Sequence, residues 1–144
     1  MAQWFFVSFG FHAMRSTTAY RQGFVKIEPD TIRSVDDFNG FIQREFELEK
    51  ISKPGTPDRY GSVTIKMLSC VAAVSGLYHA QFESSVMNRK NQSCSALVYI
   101  DFNEISKVQQ VKDLLMDDYN RRNPSPYNID KRDGCFITSL SRLS

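Results

Sequence analysis

The sequence aligns with itself, without a gap, at an offset of 73 residues. The 71 pairs between residues 1–71 and 74–144 include nine identities, among them Val25 with Val98 and Val35 with Val108. Chance gives roughly four or five identities at ordinary composition. The apolar pattern agrees over a whole stretch: Phe38, Phe41, Ile42 and Phe46 fall on Val111, Leu114, Leu115 and Tyr119. Such a repeat predicts one structural unit built twice, as repeat 1 (residues 1–71) and repeat 2 (residues 74–144).

Each repeat shows the pattern of strand, strand, helix and strand. Runs of β-favouring residues predict strands over 4–11, 23–28 and 62–68 in repeat 1, and over 78–86, 96–102 and 135–141 in repeat 2. Apolar residues at helical spacing predict helices over 35–49 and 107–120, which begin at capping boxes formed by Ser34 with Asp37 and by Ser106 with Gln109. We predict a single α+β domain over residues 1–144, an internal duplication of a ββαβ unit with a mainly antiparallel sheet and two helices on one face.

Composition and charge set limits on function. The 18 basic and 16 acidic residues give a net charge of +2, which does not by itself indicate a nucleic-acid partner. No apolar run approaches the length that spans a bilayer, and the first residues read as a strand rather than as a signal peptide. The three cysteines, an odd number without paired spacing, indicate reduced thiols. We therefore expect a cytoplasmic protein that does not contact a membrane.

The two histidines do not form a recognisable catalytic motif. Two-histidine phosphoesterases, which are also duplicated α+β proteins, carry a hydroxyl residue two positions after each histidine. Here His12 and His79 are followed at that position by Met14 and Gln81, and the two histidines occupy non-equivalent positions of the repeats. The cysteines lack the spacing of a zinc site. We predict no catalytic residue, no metal and no cofactor, which argues against an enzyme. A hydrolase that uses His12 or His79 remains the third hypothesis.

The face of the predicted sheets that points away from the helices is also apolar. If Phe5 and Val7 point to the helix, alternation turns Trp4, Phe6, Phe24 and Lys26 the other way. Their equivalents in repeat 2 are Leu77, His79, Leu97 and Tyr99. This face is either covered, by sheet curvature or by the linker, or it is a partner surface that serves docking or a homodimer. The predicted binding site joins its aromatic residues to basic residues of the hairpin loops: Trp4, Phe6, Phe24, Tyr99, Arg15, Arg21, Arg89 and Lys90.

Basic residues also recur in the helix-to-strand connections of both repeats: Lys50, Lys53, Arg59, Arg121, Arg122, Lys131 and Arg132. Ordinary surface charge explains such residues, but basic loops that contain tyrosines also suit single-stranded nucleic acid or a nucleotide. A binder of nucleic acid or nucleotide is therefore the second hypothesis. Among the acidic residues, Asp117 and Asp118 lie near a helix end, where the helix dipole disfavours them, so they are expected to have a contact role.

The layout of repeat 1 resembles that of small uncharacterised phage and prophage proteins of enteric bacteria. The resemblance rests on Phe6-Val7-Ser8-Phe9, the glycine-containing strand over 23–27, the helix start over 32–37 and the apolar strand over 63–68. It implies an accessory protein of a mobile element, in the cytoplasm of a bacterial host, and no particular activity. Small folded proteins of this kind often bind and block a host component. The leading hypothesis is a non-enzymatic binding protein that inhibits or sequesters a host protein, with bacterial defence systems among the candidates.

Overall fold

Two α-helices and six β-strands form within residues 2–12, 18–48 and 63–144, which a computed structural model of the chain describes. In chain order they are β1 (Gln3–His12), β2 (Ala19–Ile27), α1 (Val35–Glu45), β3 (Thr64–Ala72), β4 (Gly76–Val86), β5 (Arg89–Ile100), α2 (Val108–Arg122) and β6 (Cys135–Arg142). Sheet A has the strand order β2-β1-β3 and sheet B the order β5-β4-β6, and every neighbouring pair is antiparallel. The predicted α+β class is therefore confirmed, and both halves show the order strand, strand, helix, strand.

The hairpins of the two sheets have the same register at the offset of 73 residues. Trp4 pairs with Lys26 in sheet A, and Leu77 pairs with Tyr99 in sheet B. The pairing of the first strand with the third is interrupted at equivalent places, between residues 8 and 9 and between residues 81 and 82. The offset found in the sequence therefore also relates the strand pairings of the two hairpins.

The third strands depart from this offset. Phe9 pairs with Met67, whereas Phe82 pairs with Ile137, so the third strands correspond at an offset of 70 residues. The ungapped alignment, which places Met67 on Leu140, is therefore wrong over this strand. The chain that leads from the start of the helix to the third strand is three residues shorter in repeat 2 than in repeat 1.

Local side-chain bonds determine where each helix begins. Ser34 has the extended backbone of an N-cap, and its Oγ accepts a hydrogen bond from Asp37 N at 3.1 Å, as predicted. Helix α2 begins after Lys107, and Gln110 Oε1 accepts hydrogen bonds from Ser106 N and Lys107 N, both at 3.0 Å. The second capping box is thus shifted by one residue from the predicted position.

Each helix covers one face of the sheet in its own repeat. Helix α1 packs on sheet A through a core of Val7, Phe9, Phe11, Val25, Ile27, Ile42, Leu48 and Val63. Helix α2 packs on sheet B through a core that includes Tyr78, Ala80, Phe82, Ile100, Val111, Leu115, Met116 and Ile137. Both sets follow the strand alternation and the helical spacing of the sequence. Burial of each large apolar side chain contributes roughly 1.5–3 kcal/mol, so these cores dominate the stability.

The hairpin strands extend beyond their apolar segments. Strand β2 begins two residues before Arg21, and β5 begins at Arg89, directly after a two-residue turn at 87–88 in which both φ angles are positive. Arg21, Arg89 and Lys90 therefore lie in strands, and their prediction as loop residues is wrong. These strand ends are exposed, so they lack the apolar alternation that reveals a strand. Arg15 lies outside the described residues.

The second face of sheet A is covered by repeat 2. Phe6 is fully buried and belongs to the core of repeat 2, so its prediction as a surface residue is wrong. Its cross-strand neighbour Phe24 is half-buried and contacts Phe6 and Phe102 edge to face, with ring centroids 6.1 and 5.8 Å apart. Phe6 and Phe24 are thus covered, but by repeat 2 and not by the sheet curvature or the linker considered from the sequence. Contact between the two apolar surfaces removes both from water, which is favourable.

A polar network joins sheet A to the outer edge of sheet B. Strand β6 is an edge strand, yet Ile137 within it is fully buried. Gln22 Nε2 donates to Ile137 O at 2.7 Å, and Ile137 N donates to Gln22 Oε1 at 3.2 Å. Ser8 Oγ also donates to Ile137 O at 2.7 Å. The Gln22 amide thus takes the place of a neighbouring strand and pairs backbone groups that are buried away from water.

Candidate protein-binding surface

Sheet B keeps one face open to solvent. Residues directly opposite each other in antiparallel strands point to the same face, so the pairs Leu77–Tyr99 and His79–Leu97 lie together on the side away from α2. Leu143 continues this row, because its N–H donates to Leu77 O at 2.7 Å. We call this side the open face; it consists of Leu77, His79, Gln81, Glu83, Ser93, Ser95, Leu97, Tyr99, Phe136, Ser139, Ser141 and Leu143. At the end away from Tyr99, the Phe136 ring contacts Tyr20 of repeat 1 edge to face, with ring centroids 5.4 Å apart.

One end of the open face is apolar. Leu97 is 50% exposed, Leu143 59% and Tyr99 64%, and the half-buried Leu77 lies on the strand between them. Single exposed apolar residues are ordinary, but a contiguous group on neighbouring strands is typical of an interaction site. We call these four residues the apolar patch. Glu83 is the one Asp, Glu, Lys or Arg residue of the open face, so the patch has no charged neighbour within that face.

Helix α2 closes the edge of sheet B beside the apolar patch. Strand β5 is an edge strand, and there Leu97 N donates to Asp118 Oδ2 at 3.1 Å, while Arg122 Nη2 donates to Ser95 O at 2.5 Å. These backbone groups are already paired, so a partner cannot add a strand at this point of the edge. A protein that binds here would therefore contact the side chains of the open face.

Asp118 holds two arginines at the border of the open face. Arg121 Nη2 lies 2.5 Å from Asp118 Oδ1, and Arg122 Nη2 lies 3.2 Å from Oδ2. Burial by itself would raise the pKa of Asp118, but the hydrogen bonds from Leu97 N and Arg121 and the two guanidinium charges outweigh it, and the pKa is lowered. Asp118 thus makes its contacts within the chain, with strand β5 and with the two arginines. Two cations share one carboxylate, so the border retains positive charge.

Replacing Asp118 with asparagine removes the charge while nearly preserving the shape of the side chain. We expect Asp118→Asn to lower the free energy of unfolding at pH 7 by about 1–2 kcal/mol, because hydrogen bonds to a charged group contribute roughly that much. The folded-state pKa lies below the ordinary value of 3.8, so the stabilisation is complete above that value and is lost as pH falls through the folded pKa. Urea unfolding at pH 7 and pH 3 should therefore show a smaller difference between variant and wild type at pH 3.

The matched control is the exposed neighbour Asp117, which pairs with Lys131. We expect Asp117→Asn to change the free energy of unfolding by less than ~0.5 kcal/mol, because exposed ion pairs contribute little. Equal losses in the two variants, or a loss in Asp118→Asn that does not depend on pH, would contradict the role given to Asp118.

The four aromatic residues predicted to form the binding site do not meet on one surface. Trp4 and Phe24 line a groove between the two repeats. Phe6 is buried beneath repeat 2, and Tyr99 lies on the open face of sheet B. The predicted site is therefore divided among a groove, the interior and a separate sheet face. Tyr99 is the member that belongs to the apolar patch.

The basic residues predicted to surround this site lie elsewhere. Arg21 pairs with Phe9 and so belongs to the α1 side of sheet A, opposite the side of Trp4. Arg89 and Lys90 lie at the far end of β5, where Arg89 is ten residue steps, or roughly 33 Å of extended strand, from Tyr99. The basic residues that border the apolar patch are instead Arg121 and Arg122.

The basic residues after α2 are paired with carboxylates. Lys131 pairs with Asp117, and Arg132 Nη2 lies 2.8 Å from Asp130 Oδ2. The side-chain hydrogen bond from Arg132 lowers the pKa of Asp130 to about 2. Paired cations offer less attraction to phosphate groups, so these residues add no support for a nucleic-acid ligand. The corresponding residues of repeat 1 lie outside the described ranges: Lys50, Lys53 and Arg59.

The histidines and cysteines are dispersed. His12 lies at the exposed end of β1, where it pairs with Thr64, and His79 lies on the open face of sheet B. All three cysteines are free thiols, and burial raises the pKa of Cys135 to about 12, which keeps it protonated and unreactive. Within the described ranges, no group of three or more His, Cys, Asp and Glu residues could hold a metal ion.

The leucines of the apolar patch are absent from the binding site predicted from the sequence. Strand alternation in the sequence does place Leu77 and Leu97 on the face with Tyr99, and the strand pairing confirms that placement. Leu143 gives no comparable signal, because it follows the end of β6 and is placed only by its hydrogen bond to Leu77 O. Aromatic content directed the prediction to Trp4 and Phe6 instead.

Comparison with known proteins gives no relative, since no family model, no curated protein and no solved structure matches the chain. Neither of the two helices in the described ranges is long and apolar enough to cross a membrane.

Proposed function

We propose that this chain is a non-enzymatic binding protein that docks on a host protein through the apolar patch. The observation that supports this is the different use of equivalent positions in the two repeats. Phe6 and Phe24 pack against repeat 2, whereas the positions 73 residues later, His79 and Leu97, lie on the open face. Leu97 and Tyr99 thus expose apolar surface to water, and a partner that covers it gains the corresponding free energy.

The composition of the patch and its border suits protein recognition. Tyr99 provides a large and rather rigid contact surface, and a tyrosine at the centre of an interface contributes ~2 kcal/mol or more when it is fully covered. Arg121 and Arg122 border the same strand and would face acidic residues of the partner. The proposed partner surface therefore has an apolar centre and an acidic margin.

The assignment to a host protein rests on the resemblance of repeat 1 to phage and prophage proteins. That resemblance also supports a location in the cytoplasm of a bacterial host, with which free thiols are compatible. Components of bacterial defence systems are the first partners to examine. A homodimer through the same patch is the competing outcome, because an uncharged apolar surface also suits its own copy.

Capture from bacterial lysate tests the proposal. We expect the tagged wild-type chain to retain one host protein in a stoichiometric amount. The double variant Leu97→Gln/Tyr99→Ser should lose this protein, because it removes the two main apolar anchors. The matched control, Val35→Gln/Tyr127→Ser, replaces an aliphatic residue and a tyrosine that are 75% and 57% exposed outside the open face, and it should retain the partner.

Measurement of oligomeric state separates the two outcomes. If the wild type is a dimer and Leu97→Gln/Tyr99→Ser is a folded monomer, the patch serves self-association and the host-protein proposal fails. If the folded double variant captures the host protein as well as the wild type does, the binding surface is not the apolar patch.

A further inference from the structure

A groove of about 750 Å³ lies between the repeats, and it shares no residue with the open face. Its lining comes from sheet A, from the junction between the repeats and from the loop before α2: Trp4, Phe24, Ala73, Val74, Ser75, Phe102, Asn103, Ile105 and Ser106. None of these residues carries a charge, in a chain in which 24% of the residues do. The volume and the mixture of apolar groups with a few polar ones are typical of sites for small molecules.

The inner wall of the groove is formed by residues that also pack on the core. Phe24 contacts Phe102 edge to face at 5.8 Å between ring centroids, and these two rings contact Phe6 and Tyr78 at 6.1 and 5.6 Å, respectively. Phe6 and Tyr78 are fully buried, so the rings that line the groove rest on fixed neighbours. A wall of this kind exists before a ligand arrives, which lowers the entropic cost of binding.

The junction wall is held by hydrogen bonds in the same way. Ala73 N donates to Trp4 O at 2.8 Å, and the Tyr78 hydroxyl lies 2.6 Å from Val74 O. Ser75 Oγ donates a hydrogen bond to Asp101 Oδ1 at 3.1 Å and accepts one from Phe102 N at 3.0 Å. The carboxylate of Asp101 is thus engaged with the junction and is not part of the lining of the groove.

We propose that the inter-repeat groove binds a small uncharged aromatic molecule that carries a polar group. Its rings would cover the indole of Trp4, which is 52% exposed, and Val74, which is 40% exposed. Asn103 and Ser106 provide side-chain groups for hydrogen bonds with the polar group. A charged molecule would lose hydration in this groove without gaining a charged partner from its lining, since Lys26, opposite Trp4 in the neighbouring strand, is exposed and not part of the lining.

Trp4 is the single tryptophan of the chain, so its indole N–H gives one identifiable nuclear magnetic resonance signal. We expect titration with 2-naphthol to shift this signal saturably, with a dissociation constant on the order of 100 μM for a ligand of this size. The matched charged probes, naphthalene-2-sulfonate and 2-naphthylmethylammonium, should each bind at least about tenfold more weakly. A response that does not saturate, or equal binding of the charged probes, would overturn the proposal.

A variant that fills the groove locates the site. Ser106 is exposed, and its backbone N–H already bonds to Gln110, so Ser106→Phe can enter the groove from the rim while the helix start is kept. We expect this variant to bind 2-naphthol at least about tenfold more weakly, and Leu97→Gln/Tyr99→Ser to bind it as the wild type does. Unchanged binding in Ser106→Phe would overturn the site. If Ser106→Phe instead abolishes capture of the host protein, the groove is a protein-binding site and the small-molecule proposal fails.

Discussion

Phe6→Ala should lower the free energy of unfolding by about 3–5 kcal/mol, the usual loss when a fully buried phenylalanine is removed. Phe6 is the member of sheet A that enters the core of repeat 2, so its removal leaves a cavity between the repeats. A natural domain is stable by only about 5–15 kcal/mol, so this loss is a large part of the total. Urea unfolding, followed by circular dichroism, measures it.

The matched control is His79→Ala, at the equivalent position of repeat 2. His79 lies on the open face and is only half-buried, so we expect a change within about 1 kcal/mol. Similar losses for the two variants would show that the repeats do not use their second faces differently. A loss below ~1 kcal/mol in Phe6→Ala would restore the original prediction that Phe6 lies at the surface.

Gln22→Ala combined with Ser8→Ala should cost about 3 kcal/mol, because Ile137 N and Ile137 O would then be buried without partners. Each single variant leaves Ile137 O with one donor, so the double variant should lose about 1 kcal/mol more than the sum of the single losses. The opened edge of β6 should also favour association, which light scattering detects.

Gln92 is the control for this network, because its amide lies on an exposed part of β5 and makes one long hydrogen bond, to Lys90 O at 3.3 Å. We expect Gln92→Ala to change stability by less than ~0.5 kcal/mol. Additive losses at Ser8 and Gln22 would contradict a shared role at Ile137.

Features that depend on neighbours in the chain could be predicted from the sequence. The spacing of Phe38, Phe41 and Ile42 indicates helix α1, and the side chain of Ser34 determines its start. Strand alternation correctly assigns Val7 and Phe9 to the side of sheet A that α1 covers. Local periodicity carries this information because each element must present one apolar face to its own core.

Features that depend on packing between the repeats could not be predicted in this way. Phe6 and His79 occupy equivalent positions, yet one is buried and the other lies on an open face, because only sheet A has repeat 2 against its second side. In the sequence, Gln22 is an ordinary polar residue of a hairpin. Its role depends on Ile137, which is 115 positions away in the sequence but adjacent in the fold. The one advance signal is Ser8, a hydroxyl residue within an otherwise apolar strand.

This difference between the repeats also explains why the binding prediction failed at some residues and not at others. The apolar second face of repeat 1 is richer in aromatic residues. Phe6 and Phe24, at its centre, pack against the core of repeat 2. The corresponding face of repeat 2 has leucines and Tyr99, and the fold leaves it uncovered. The surface proposed for partner binding is therefore the less aromatic of the two.

The most direct measurement is a calorimetric titration of the captured partner with Tyr99→Ala and with Tyr127→Ala, two folded variants that each remove one exposed tyrosine. If the apolar patch is the interface, Tyr99→Ala should raise the dissociation constant about 30-fold, which corresponds to ~2 kcal/mol, and Tyr127→Ala should leave it unchanged. Wild-type affinity in Tyr99→Ala would contradict binding through the open face of sheet B.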